Sequence, residues 1–208
     1  MRFRAVIFDL GGVVLGSPLR VFRDYEAELG LQHGFIGRMI SENGASGAWS
    51  RLERGELDML NFERAFDAEG AARNAKISSA ELMARIALAS QPYAPMVRAI
   101  RSLRQQQLRV AALTNNWVSD DQTQKMQLLR PEFDVFIESA REGLRKPDPR
   151  IYQLACDRLG VPPAAAVFLD DIGSNLKPAR AMGMTTIKVD DPDTALAELA
   201  RVLDLQIG

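Results

Sequence analysis

A chain of 208 residues suits one domain, or a domain with a small insert, and is long enough to bury a substantial core. Its 47% hydrophobic and 25% charged content is ordinary for a globular protein, and a net charge of -1 excludes a general attraction to nucleic acid or anionic membrane. No apolar run approaches the ~18 residues of a spanning helix, and no leader precedes the first apolar segment, so a cytoplasmic location is expected.

That first segment is Ala5-Val6-Ile7-Phe8-Asp9-Leu10-Gly11-Gly12. Four apolar residues predict a buried strand, and the Gly-Gly pair breaks it and lets backbone approach a ligand closely. Asp9 then falls at the carboxyl end of a strand, where open α/β sheets keep their ligand crevice. From Pro18 to about Ala89 no strand pattern appears, and helical periods dominate. Asp58 is placed to cap a helix with Leu60, Phe62, Ala65 and Phe66 on one face. Ser78-Ser79-Ala80-Glu81 has the form of a capping box before Leu82, Ile86 and Ala89, and the run from Asn43 to Gly47 is a break. Trp49 and Phe62 are expected in the core of this helical stretch. His33, the only histidine, is expected at its surface.

Beyond Pro92, helices and strands alternate. Val97, Ile100 and Leu103 form a helical face ahead of the strand Val110-Ala111-Ala112-Leu113, which leads to Thr114-Asn115-Asn116 and Trp117. Trp117 is expected to pack within its loop. The segment Phe133 to Ile137 leads to a loop with Lys146-Pro147-Asp148-Pro149, flanked by Arg141 and Arg145, both expected to be solvated. Asp148-Pro149 is a helix start and Gly160 its stop, with Cys156 a packed residue inside that helix. A lone cysteine also excludes an internal disulfide and fits a reducing compartment. Ala166-Val167-Phe168-Leu169 runs into Asp170-Asp171, a short helix from Ser174 to Met182 follows, Thr185 to Val189 is a fifth strand, and Asp193 to Leu203 is the last helix. The alternation predicts a doubly wound α/β fold: a parallel sheet covered on both faces, with a small helical cap inserted after the first strand. The expected division is an α/β core of residues 1–16 plus 91–208 and a helical cap of residues 17–90. An acid, a hydroxyl, a lysine and an acid pair, each just past a strand, converge on one crevice.

In order and context, Asp9, Thr114, Lys146 and Asp170-Asp171 resemble the four motifs of the haloacid dehalogenase superfamily. Leu113 to Asn115, Phe133 to Tyr152 and Val167 to Gly183 are similar to one branch of it, the phosphatase-like domain at the amino end of soluble epoxide hydrolase and of acyl-CoA dehydrogenase fusions. The resemblance implies a Mg²⁺-dependent phosphomonoester hydrolase acting on a small phosphorylated metabolite through an aspartyl-phosphate on Asp9. It implies Asp9, the backbone carbonyl of Gly11 and Asp171 as metal ligands, with Asp170 behind them. Thr114, Asn115 and Lys146 are implied as the groups that hold the phosphoryl oxygens, Lys146 also keeping Asp9 ionised. Phosphatases of the superfamily generally carry a second Asp two residues after the nucleophile, where this chain has Gly11. General acid-base help is typically worth ~10²–10⁴ in rate, so its loss leaves two other readings: a metal-independent 2-haloacid dehalogenase, or a non-catalytic, regulatory member. The oligomeric state is not legible.

Overall fold

In the computed structural model, which describes residues 2–118 and 120–207, the strands β1 (Ala5–Phe8), β2 (Arg109–Thr114), β3 (Val135–Glu138), β4 (Ala166–Asp170) and β5 (Thr185–Lys188) form one sheet in the order β3-β2-β1-β4-β5. Every pairing is parallel, and Phe8 lies opposite Ala112 on one side and Leu169 on the other. Parallel pairs need long crossovers, and the helices predicted between the strands supply them. On one face α6 (Ala94–Gln105), α7 (Asp120–Leu129) and α11 (Pro192–Leu203) cover Val6, Phe8, Val110, Ala112, Val167 and Leu169. On the other, α9 (Pro149–Leu159) and α10 (Gly173–Ala181) cover Ala5, Ile7, Ala111, Leu113, Ala166 and Phe168. Alternate residues thus enter alternate layers, and burial on both faces explains why the strands read as continuous apolar runs.

The chain winds from β1 to β2 and β3, then returns past β1 to β4 and β5. Its direction reverses beside β1, which opens a crevice at the carboxyl ends of β1, β2 and β4. Above that crevice sit α1 (Pro18–Glu28), α2 (Phe35–Asn43), α3 (Ala48–Glu53), α4 (Met59–Ala71) and α5 (Ser79–Ala89). They share a separate apolar cluster in which Trp49 meets Phe22, Phe62 and Phe66 at ring separations of 5.3, 5.8 and 5.7 Å. Trp117, expected to pack within its loop after β2, instead reaches across to this cluster, its ring 5.9 Å from that of Trp49. The two connections of the helical insert run side by side: Gly16 N donates to Gln91 O, and a Cβ on Gly16 would lie 2.1 Å from Ala89 O.

Three local expectations change. Leu60 is exposed rather than on the buried face of α4; it lies roughly 200° around the helix from Phe62, which with Phe66 defines that face. Ser78 caps α5 by accepting from Glu81 N, but its own N–H donates to the Tyr25 hydroxyl while the Glu81 carboxylate turns to Arg85, so half of the capping box forms. The third strand begins at Val135 instead of Phe133, because a turn at Arg130–Glu132 precedes it and Asp134 Oδ2 accepts from Val110 N.

Candidate active site

Asp9 is the residue that follows β1, and its N–H donates to Leu169 O, so the strand pairing fixes where its side chain starts. The Asp9 carboxylate accepts from Leu10 N at 2.7 Å and pairs with Lys146 Nζ at 2.9 Å. Lys146 comes from the loop between α8 (Ser139–Glu142) and α9, is fully buried, and also donates to Asp170 Oδ2 at 2.7 Å. Asp170, the last residue of β4, has its other contacts supplied by Ile172 N and Asn175 Nδ2. Its carboxylate is therefore occupied by protein donors. Asp171, one residue on, is tied by Ser17 Oγ at 3.3 Å and borders the cavity. Carboxylate oxygens of Asp9, Asp170 and Asp171 lie within 4.8 Å of one another.

Thr114, the last residue of β2, is buried beside this group, and its hydroxyl donates to Asn115 O at 3.4 Å. The Asn115 side chain grips the main chain of Lys146 from both sides: Lys146 N donates to Oδ1 at 2.8 Å, and Nδ2 donates to Lys146 O at 3.0 Å. The loops after β2 and before α9 are thereby held in one register.

Three carboxylates gather around one lysine, which touches Asp9 and Asp170 but not the partly buried Asp171, so acid outnumbers base here. Burial pushes the Asp9 carboxyl well above the ordinary range; Lys146 pulls it down, and Asp170 and Asp171 push it further up. Asp171 is pushed up to about 6, first by burial and then by Asp170. Burial alone would lower the Lys146 amine, but Asp170 and Asp9 more than reverse this, so it stays above its ordinary value and charged. Oxygen ligands carrying excess charge fit a hard divalent cation, which would relieve the repulsion these values register.

The turn after Asp9 is built around this cluster. Gly12 has φ +76°, and a Cβ there would sit 2.0 Å from Asp171 Oδ2, so a side chain at Gly12 would displace the acid. Gly11 lines the cavity, and a Cβ on it would meet Pro18 Cδ at 3.3 Å. The cavity itself, of about 840 Å³, lies between sheet and insert, with Asp9, Asp171 and Asn115 on its floor and Leu19, Phe22, Ile40, Trp49 and Trp117 in its walls.

Two residues take places that sequence reasoning did not give them. Arg145 is not simply solvated: its side chain is 24% exposed, and its Nε pairs with Glu53 Oε2 at 2.6 Å. Glu53, at the end of α3, is buried and accepts from Trp49 Nε1 as well. Arg141 is the more exposed of the pair of arginines but bonds the buried Glu138. His33 is exposed and absent from the cavity lining. Cys156 is packed inside α9, where burial pushes its thiol up to about 11, the inert state expected of it.

The arrangement is that of an α/β enzyme working at the carboxyl ends of its strands. A model of the haloacid dehalogenase-like hydrolases matches residues 3–183, and the chain belongs to that family. It is 40% identical over 97% of its length to acyl-CoA dehydrogenase family member 10 of Mus musculus, and 35% identical over 100% to bifunctional epoxide hydrolase 2 of Sus scrofa. The matched regions are 19% and 40% of those proteins, so the chain spans well under half of either. Sesquiterpene phosphatase astK of Aspergillus oryzae is 27% identical, with 97% of each chain covered. Among solved structures, a HAD family enzyme of Bacteroides thetaiotaomicron in complex with magnesium and inorganic phosphate shares the fold, at TM-score 0.62 and 19% identity over 89% of this chain and 93% of that one.

Proposed function

We propose that the protein hydrolyses small phosphomonoesters through an aspartyl-phosphate on Asp9. The observation that carries this reading is the buried surplus of acid around Asp9. Displacing halide from carbon uses one carboxylate, and a binding module has no use for a crowded, destabilising acid group; phosphoryl transfer uses both. A phosphatase that aligns with the chain end to end supports the same reading.

In the first step an Asp9 oxygen attacks phosphorus, the bond to the leaving oxygen breaks, and that oxygen departs as the alcohol after taking a proton from solvent water, since Gly11 offers none. In the second, water attacks the phosphorus of the aspartyl-phosphate, releasing inorganic phosphate and the Asp9 carboxylate. Lys146 holds Asp9 as the anion and offsets charge on the phosphoryl oxygens. The Thr114 hydroxyl and the backbone N–H of Asn115 would donate to those oxygens, since the Asn115 amide is committed to Lys146. Asp9, the Gly11 carbonyl and Asp171 would hold Mg²⁺, with Asp170 fixing Lys146 and the turn behind them. When bound, Mg²⁺ supplies the positive charge that lets one anion approach another. With Gly11 in place of an acid, turnover should depend steeply on the leaving group. Residues 1–16 with 91–208 form the catalytic core in this reading, and residues 17–90 the cap that selects the substrate.

An activated aryl phosphate tests the reaction. Phosphate release that requires Mg²⁺ is expected; release unchanged by a chelator, or none with metal present, would refute the proposal.

The acids also predict a stability profile. The folded-state value for Asp171 is above the unfolded one, so the folded chain binds the extra proton between 3.8 and about 6. Metal-free stability should therefore fall as pH rises through that window, by about 3 kcal/mol for Asp171 alone, and Asp9 shifts in the same direction. Calorimetry with and without Mg²⁺ should show the metal raising Tm at pH 7.5 and hardly at pH 4. Equal effects at both would mean that these carboxylates are not the ligands.

A further inference from the structure

We propose that Glu53 is a positioning residue, one that ties the seating of the helical insert to the loop carrying Lys146. Glu53 sits at the end of α3 and is only 6% exposed. Oε1 accepts from Trp49 Nε1 at 2.9 Å within the insert; Oε2 accepts from Arg145 Nε at 2.6 Å and Asn115 Nδ2 at 3.4 Å across the cavity. Arg145 immediately precedes Lys146, and Asn115 immediately follows Thr114. One acid on the insert thus touches both loops from which the proposed phosphoryl-binding groups emerge, and it touches them where Asn115 already clamps the Lys146 main chain. Two residues further on, Gly55 comes so close to α8 that a Cβ would lie 2.4 Å from Ala140 O, so the insert is seated against the core on this side.

An insert held by packing alone would need no carboxylate here, because burying an ion pair offers little net stability over apolar contact. The charge has a second effect: it neutralises a guanidinium in the cavity wall. The two roles make opposite predictions for one variant. Glu53→Gln keeps an acceptor oxygen for Trp49 but loses both the charge and the second oxygen, the one that accepts from Arg145 and Asn115. Its kcat should fall about 10- to 100-fold as the Lys146 loop loses register. Inhibition by inorganic phosphate should tighten about two- to fivefold, because Arg145 becomes an unbalanced cation beside the cavity. Arg145→Gln should lose kcat without that tightening. A merely loosened fold would lower kcat and phosphate affinity together.

The kinetic arm rests on the phosphatase reading; a spectroscopic arm does not. The chain has two tryptophans, Trp49 on the insert and Trp117 on the loop after β2, with rings 5.9 Å apart at 70°. Their coupling should give a near-ultraviolet circular dichroism signal that Glu53→Ala loses while far-ultraviolet helicity is kept. If wild-type protein releases no phosphate, the phosphatase reading fails and this signal alone decides the role of Glu53. Wild-type kcat and phosphate affinity in Glu53→Gln, a parallel fall in both, or an unchanged tryptophan signal in folded Glu53→Ala would each overturn the proposal.

Discussion

Asp9→Asn is expected to abolish phosphate release and, in metal-free buffer at neutral pH, to melt at a higher temperature than the wild-type protein. The two effects have one origin. The Asp9 carboxylate is a charged group in a place where burial and two neighbouring acids oppose charge. That is a poor arrangement for stability and a useful one for a nucleophile that must meet its substrate out of bulk water. Asparagine has the same shape, and its Oδ1 can still accept from Leu10 N and Lys146 Nζ, the two donors that hold Asp9 now. Lys146 keeps Asp170 as its counter-charge. What disappears is the attacking anion, and losses of roughly 10⁴- to 10⁶-fold are the scale for removing a nucleophile. Phosphate release and calorimetry on the same preparation check both halves. Near-wild-type turnover would remove Asp9 from the chemistry. A collapse of Tm would mean that its charge is structural.

Most of the core was legible because its signals are local. A strand buried on both faces reads as an apolar run, and Asp9, Thr114 and Asp170-Asp171 stand at the ends of such runs, where chain reversal gathers them; Lys146 instead lies beyond α8, the short helix that follows β3. Helix starts at Asp58 and Asp148 were legible for the same reason, since a cap acts within three residues. The insert was less so. Helical spacing allowed Leu60 on the buried face of α4, and only packing around Phe62 and Phe66 excludes it. The contact between Glu53 and Arg145 spans 92 positions, and neither residue has a neighbour in sequence that marks it. Arg145 reads as solvated, and Glu53 carries no sequence signal at all, until the insert is laid over the sheet. The acid missing at Gly11 was visible in the sequence. The spatial answer adds that a Cβ at Gly11 would press on Pro18 at 3.3 Å, a contact that a small shift relieves, whereas the next residue, Gly12, leaves no room for one.

Lys146→Met should have the largest effect on stability of any single change in the site, about 3–5 kcal/mol at pH 8, along with loss of turnover. The amine is fully buried between Asp9 at 2.9 Å and Asp170 at 2.7 Å, and methionine fills nearly the same volume without charge. Packing is therefore preserved while two carboxylates lose their only cation among the described residues. A buried acid in that position takes up a proton instead, so the deficit should shrink markedly at pH 5, where protonation is easier. Denaturant unfolding at the two pH values measures this directly. Asp170→Asn added to Lys146→Met should recover part of the lost stability at pH 8, because the repulsion, not a cavity, is its source; two independent effects would simply sum. Mg²⁺ should restore stability to Lys146→Met without restoring turnover. Its charge can balance Asp9 and Asp171, but it cannot occupy the place beneath Asp9 from which the lysine meets both Asp9 and Asp170. If the deficit is equal at pH 5 and pH 8, the lysine is held there for its packing, and the electrostatic account of the site fails with it.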